Sequence, residues 1–234
     1  MATNAPSSYS LQREKLAEYF DQTARQAWIE LTGDSKVSGI RATVRSGREE
    51  MRNKLLNWLP EDLRRTRVLD AGCGTGAFSV AAACRGAEVL GIDVAPGLIK
   101  VAKERTPSFI GHGRIEWRAG DMSDPELGSF DHIVLMDSTI HYKSSNAIGL
   151  VNELSKRATE SIIFTFVPLT PLLAVKFALG KFFPKGERAP SVEPSSEDAI
   201  CSLISQNLHG WEISGMKRVS TYFYASQAVE LRRV

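Results

Sequence analysis

Apolar residues along the chain follow a helical period at first and a strand period later. Across residues 11–31, Leu16, Tyr19, Phe20, Ala24, Ala27, Trp28 and Leu31 recur at three- and four-residue steps, which predicts a helix with one apolar face. Gly33-Asp34-Ser35 breaks it. A second helical stripe runs through Val37, Ile40, Val44, Met51, Leu55, Trp58 and Leu59 and stops at Pro60. From Thr66 onward, short apolar runs alternate with helical stretches: strands at 66–70, 88–93, 114–119, 130–136 and 161–167, helices at 76–85, 96–105 and 144–157. The run at 130–136 is almost continuously apolar at its centre, as a strand buried on both faces requires. Repeated βα units predict an α/β fold with a doubly wound parallel sheet and right-handed crossovers. Residues 211–219 and 221–231 read as a closing pair of strands.

At the mouth of the first βα unit the chain reads Asp70-Ala-Gly72-Cys-Gly74-Thr-Gly76. Glycines at this spacing mark a sharp backbone turn that a ligand approaches closely, with the amide-rich start of a helix aimed at it. The dinucleotide fingerprint G-x-G-x-x-G places its third glycine one residue later. Asp70 would also repel a pyrophosphate, whereas it suits a cationic group such as the amino group of S-adenosylmethionine. Asp93 ends the second strand about 20 residues on, where a carboxylate accepts both ribose hydroxyls. Asp121 follows the third strand.

Composition narrows the field. The chain has 234 residues, 43% hydrophobic and 24% charged, which suits a globular chain with one sizeable core. A net charge of +2 argues against a chain built mainly to grip nucleic acid. Cys73, Cys84 and Cys201 have no metal-ligand spacing, so reduced thiols and no protein-bound metal are expected. Residues 1–10 are polar, and no run of about 20 apolar residues occurs, so neither a signal peptide nor a bilayer span is expected.

VLDAGCGTGAFS followed by VLGIDVAPGLIKVAKER resembles the cofactor half of class I S-adenosylmethionine-dependent methyltransferases. That resemblance implies a Rossmann-like sheet of seven strands ending in an antiparallel hairpin. It implies cofactor contacts at Asp70, Gly72, Gly74, Gly76, Asp93, Val94, Asp121, Met122 and Asp137, with Asp121-Met122 at the adenine edge. Strand four ends in Asp137-Ser-Thr-Ile-His141-Tyr142. The Asn/Asp-Pro-Pro-aromatic tetrad of amino-group methyltransferases is absent there, which disfavours methylation of an amine. His141 and Tyr142 stand at the carboxyl end of a central strand, the place for catalysis in such sheets. His112, His132 and His209 lack that context and read as structural.

A narrower resemblance extends over most of the chain. EYFDQTARQAWIELTGD, KVSGIRATVRSGREEMR, GDMSDPELGSFDHIVLMDSTIHY and the LGKFFP stretch resemble magnesium-protoporphyrin IX methyltransferases of (bacterio)chlorophyll synthesis. This implies esterification of a substrate propionate, which is already ionised at pH 7 and needs orientation rather than a strong base. Magnesium then belongs to the substrate. Thr32 departs from the R-x-x-I-Y-G pattern of photosynthetic relatives, so Tyr19 or Tyr142 takes over that tyrosine's role, or the role is dispensable.

On this reading residues 1–62 form a helical cap over a catalytic domain at 63–234, with an apolar insert at 168–194. Phe20, Trp28, Arg41, Arg45, Leu173 and Phe177 are the candidate substrate contacts. Arg41, Arg45, Arg48 and Arg52 share one helix face, either as a solvated shoulder or against an anionic partner. The 171–183 stretch, with Lys176 and Lys181, reads as core, as a pocket wall or as a helix on an anionic membrane surface. Family resemblance further implies substrate handover from a magnesium-chelatase subunit and a cytoplasmic or peripheral membrane location. Two alternatives stay open: methylation of a quinone or other lipophilic molecule, and a cofactor-binding module without turnover.

Overall fold

A computed structural model describes residues 8–33, 39–169 and 191–234. Its centre is a seven-stranded sheet in the order β3-β2-β1-β4-β5-β7-β6. The strands are β1 Arg67–Ala71, β2 Glu88–Asp93, β3 Arg114–Ala119, β4 Phe130–Leu135, β5 Ala158–Phe166, β6 Trp211–Ser220 and β7 Ala225–Arg233. Strands β1 to β5 pair in parallel, and β7 pairs antiparallel with both β5 and β6. The α/β sheet and its final hairpin are as expected from the chain's periodicity and resemblance.

Period two along the strands splits successive residues between two apolar layers. Leu69, Leu90, Ile133, Ile162 and Val229 face one core with Ile148, Leu154, Ile200 and Ile204. Val68, Val89, Val134, Ile163 and Ala228 face the other with Met51, Leu55, Phe78 and Ala82. The first layer is built on helices α6 Ser144–Ser155 and α7 Glu197–Asn207, the second on α3 Gly39–Leu56 and α4 Ala77–Cys84. Helix α5 Pro96–Arg105 opens with a proline in its first turn and packs on β2 and β3.

Two differences from the sequence expectations bear on the site, and one expectation falls on residues that are not described. The first predicted helix is two: α1 Ser8–Glu18 and α2 Arg25–Thr32, joined by a π-helical turn at Tyr19–Thr23. Helix α7 was not foreseen, although Ser196 caps it by accepting a hydrogen bond from the Ala199 N–H, and Glu197 and Asp198 fill its first turn. Leu173 and Phe177, with Lys176 and Lys181, lie outside the described residues. Among the described residues, no helix is long and apolar enough to cross a membrane.

Candidate active site

The strand order reverses between β1 and β4, so the loops leaving their carboxyl ends diverge and open a crevice. After β1 the backbone is left-handed at Gly72, Gly74 and Gly76, with φ of 81°, 55° and 84°. Two of these positions exclude any side chain on steric grounds as well. A Cβ on Gly72 would overlap Ser138, which follows β4, and a Cβ on Gly76 would overlap the Trp117 ring. Gly74 faces the crevice, where a Cβ would come to 3.3 Å from Trp28 Nε1.

Two acids sit beside this loop. Asp70 is 2% exposed and accepts a 2.5 Å hydrogen bond from Ser79 Oγ. Burial, with the Asp93 charge nearby, pushes its carboxyl up to about 7 despite that bond. The Asp93 carboxylate ties down the loop: Oδ2 accepts from the Gly74 N–H and Oδ1 from the Ala95 N–H, each at 2.9 Å. Burial raises the Asp93 pKa, and those backbone bonds counter part of the effect. Both of its oxygens keep acceptor capacity for ribose hydroxyls. A buried acid, a doubly anchored carboxylate and a side-chain-free turn together fit an adenosyl amino-acid cofactor.

Over this crevice lies the cap. Phe20 is its aromatic hub, with ring centroids at 5.2 Å from Tyr19, 5.6 Å from Trp28 and 5.8 Å from His141. Asp21 accepts the Gly97 N–H at 2.7 Å and so pins the π-helical turn to the start of α5. Arg105 closes the far end of α2, donating to Ile29 O and Thr32 Oγ1 at 2.8 and 3.0 Å. The Thr32 hydroxyl itself donates to Trp28 O, so it serves helix geometry.

Cap and sheet enclose one cavity of about 620 Å³. Its walls include Asp70, Gly72, Gly74, Asp93, Val94, Met122 and Asp137 on the loop side, and Tyr19, Phe20, Trp28, His141 and Tyr142 on the cap side. Arg41, Arg45, Arg48 and Arg52 also line it, Arg41 at its half-exposed rim and Arg45, Arg48 and Arg52 partly buried. Gly76 is not on the wall; it starts α4 against Trp117.

Asp121 is a second departure. Its carboxylate is taken by Tyr9 OH at 3.0 Å, by Arg13, and by Ser123 N–H and Oγ at 2.9 and 2.7 Å. Burial raises its pKa, yet these hydrogen bonds outweigh it and hold the carboxyl below its ordinary value. Its neighbour Met122 reaches the cavity instead. Tyr9 also stacks on Tyr142 at 5.4 Å, and Gln12 donates to His141 O at 3.1 Å. Tyr9 and Arg13, which sequence reasoning missed, therefore dock α1 on the site.

Asp137, the other expected cofactor contact after a strand, does line the cavity. Its carboxylate accepts from Arg48, Tyr224 OH, Ser226 Oγ and Thr165 Oγ1. It is spent on protein donors from α3, β5, β7 and the turn before β7.

His141 Nδ1 lies 3.2 Å from the Ser191 carbonyl, which only accepts, so Nδ1 carries the proton. Burial lowers the His141 pKa, partly offset by that bond and by Asp137. The neutral ring then offers a lone pair at Nε2, and only the imidazolium could donate to a carboxylate there. Tyr142 is 5% exposed and packs with Leu16 and Ala147, a supporting position at the cavity wall. Among the described residues no group of His, Cys, Asp or Glu could hold a metal.

Residues 135–233 match the family described as magnesium-protoporphyrin IX methyltransferase C-terminus, and residues 68–159 match a methyltransferase domain. A magnesium-protoporphyrin O-methyltransferase of Rhodobacter capsulatus is 42% identical over 97% of this chain and 99% of its own length. A chloroplastic magnesium protoporphyrin IX methyltransferase of Arabidopsis thaliana is 27% identical over 93% of this chain and 70% of its own. The crystal structure of a magnesium protoporphyrin IX methyltransferase from Synechocystis PCC 6803 with bound S-adenosylhomocysteine superposes with a TM-score of 0.83. It shares 27% identity and covers 94% of this chain and 98% of that one. The chain belongs to the magnesium-protoporphyrin O-methyltransferase family of S-adenosylmethionine-dependent enzymes.

Proposed function

We infer that the chain is a carboxyl O-methyltransferase that esterifies a propionate of magnesium-protoporphyrin IX with S-adenosylmethionine, in (bacterio)chlorophyll synthesis. Beyond family membership, one observation carries the reading. A single cavity is lined both by buried acids at the glycine loop and by arginines along α3, so it offers complementary charge to a cationic cofactor group and to an anionic acceptor. A quinone has no carboxylate to meet those arginines.

When bound, the cofactor supplies an electrophilic methyl group. Asp93 would hold its ribose, and Asp70 its amino group. Phe20, Trp28 and Tyr19 would wall the macrocycle and exclude water from the reacting oxygen. An ionised propionate needs no base, so His141 would orient the acceptor, donating from Nε2 when it is protonated. Residues 1–62 would thus act as the cap of the 63–234 catalytic domain. Handover from a magnesium-chelatase subunit and weak contact with an anionic membrane belong to the same reading, because the macrocycle is itself poorly soluble.

The test is incubation with S-adenosylmethionine and magnesium-protoporphyrin IX, read by mass for a gain of one methyl. A thermal shift with the porphyrin, and none with a demethylated quinone, should accompany it. A methylated quinone with an unchanged porphyrin would refute the reading.

A further inference from the structure

The arginines of α3 that line the cavity are not equivalent. Arg41 pairs with Glu30 at 2.9 Å in a half-exposed position. Arg45 donates to the Leu31 and Glu30 carbonyls at the end of α2. Among the described residues, Arg48 is fixed on two sides. One of its Nη1 hydrogens goes to Asp137, and its guanidinium lies over Trp28, 4.7 Å from the ring centroid.

The partner that holds it is held in turn. Asp137 has a left-handed backbone, φ 54°, and its N–H donates to Thr165 Oγ1 at 2.7 Å. Its carboxylate also accepts from Tyr224 OH at 3.0 Å and from Ser226 Oγ and Thr165 Oγ1 at 3.1 Å. With its side chain 4% exposed, it is a rigid, fully engaged anchor.

A guanidinium carries five N–H donors. Apart from the bond to Asp137, those of Arg48 meet no hydrogen-bond acceptor among the described residues, although the side chain is only 20% exposed. None of these donors is sealed from water, so they open onto the cavity, where a bound carboxylate would replace solvent with charge-assisted hydrogen bonds. One helical turn on, Arg52 also lines the cavity, with Glu49 at 3.7 Å as its ion-pair partner. Trp28 stands beside Gly74, and Ser138, the neighbour of Asp137, stands against Gly72. Arg48 itself therefore stands close to the glycine loop.

We propose that Arg48, presented by Asp137 and Trp28 and seconded by Arg52, is the carboxylate receptor of this cavity. A planar carboxylate matches the fork of a guanidinium fixed in orientation. Two ligands of the reaction carry one: the amino-acid part of the cofactor and the propionate of the substrate. This rests on the function proposed above.

The test compares ligand pairs that differ in the carboxylate. One pair is S-adenosylhomocysteine and methylthioadenosine, which lacks the amino-acid moiety; the other is magnesium-protoporphyrin IX and its dimethyl ester. Arg48→Met should shrink the affinity ratio of one pair by about 10- to 100-fold, the range expected for hydrogen bonds between charged groups. The pair that changes identifies the source. A ratio is read because general damage to the fold weakens both members alike. Arg48→Lys keeps the charge against Asp137 but loses the fork, so its ratio should fall several-fold, and it serves if the Met variant does not fold. Unchanged ratios for both pairs would overturn the proposal. If wild-type protein does not bind the porphyrin, the reading of function fails, and the adenosyl pair alone decides the receptor.

Discussion

Cofactor binding should depend on pH through Asp70. In the free protein its carboxyl is pushed up to about 7, chiefly by burial and secondarily by Asp93. A cationic amino group favours the ionised form, so binding must expel the proton wherever Asp70 still carries it. The affinity penalty is a factor of 1 + 10^(pKa − pH), roughly tenfold at pH 6 and close to nothing at pH 8. With the ligand's own α-amino group losing its proton near 8, affinity for S-adenosylhomocysteine should rise about sixfold from pH 6 to a maximum near pH 7.5 and fall above it. Titration calorimetry in two buffers of different ionisation enthalpy should show about one proton released per binding event at pH 6. Asp70→Asn should bind more weakly and lose the rising limb. The same shift acts on folding with the opposite sense. A carboxyl whose folded pKa is raised binds its proton more tightly in the native state, so its contribution to stability is present below about 4 and is lost as pH rises through about 7. Flat affinity across this window, with no proton released, would refute the assignment of Asp70 to the cationic end of the cofactor.

Three further outcomes are expected. Asp93→Ala should weaken S-adenosylhomocysteine binding by about 1.5–3 kcal/mol by calorimetry, since it removes ribose acceptors and frees the Gly74 N–H. His141→Ala should slow methyl transfer while leaving that affinity within about twofold, and His141→Gln should recover part of the rate by restoring an N–H donor; kinetics identical to wild type would return His141 to a structural role. Leu55→Ala, at a side chain with no exposed surface between α3 and the sheet, should cost about 2–5 kcal/mol in denaturant unfolding.

Local chemistry made much of this protein legible in the sequence. Strand periodicity is imposed by the pleat, so residues such as Val68 and Leu69 sort to opposite layers whatever surrounds them. The glycine loop was legible because left-handed backbone and close approach both demand glycine. Even α7 had a signal in Ser196-Glu-Asp, lost beside the apolar stretch that precedes it. The fates of the polar side chains were decided elsewhere. Asp137 and Asp121 look alike in sequence, each an acid after a strand. One binds Arg48, Tyr224 and Ser226, and the other binds Tyr9 and Arg13, partners 87 to 89 and 108 to 112 residues away. The arginine stripe of α3 could equally have faced water, since helical spacing says which residues share a face and not what that face meets. Only the packing of α3 against β6 and β7 set it along the cavity. Periodicity is a property of neighbours in the chain, whereas a carboxylate's partner is set by which strands and helices the fold brings together.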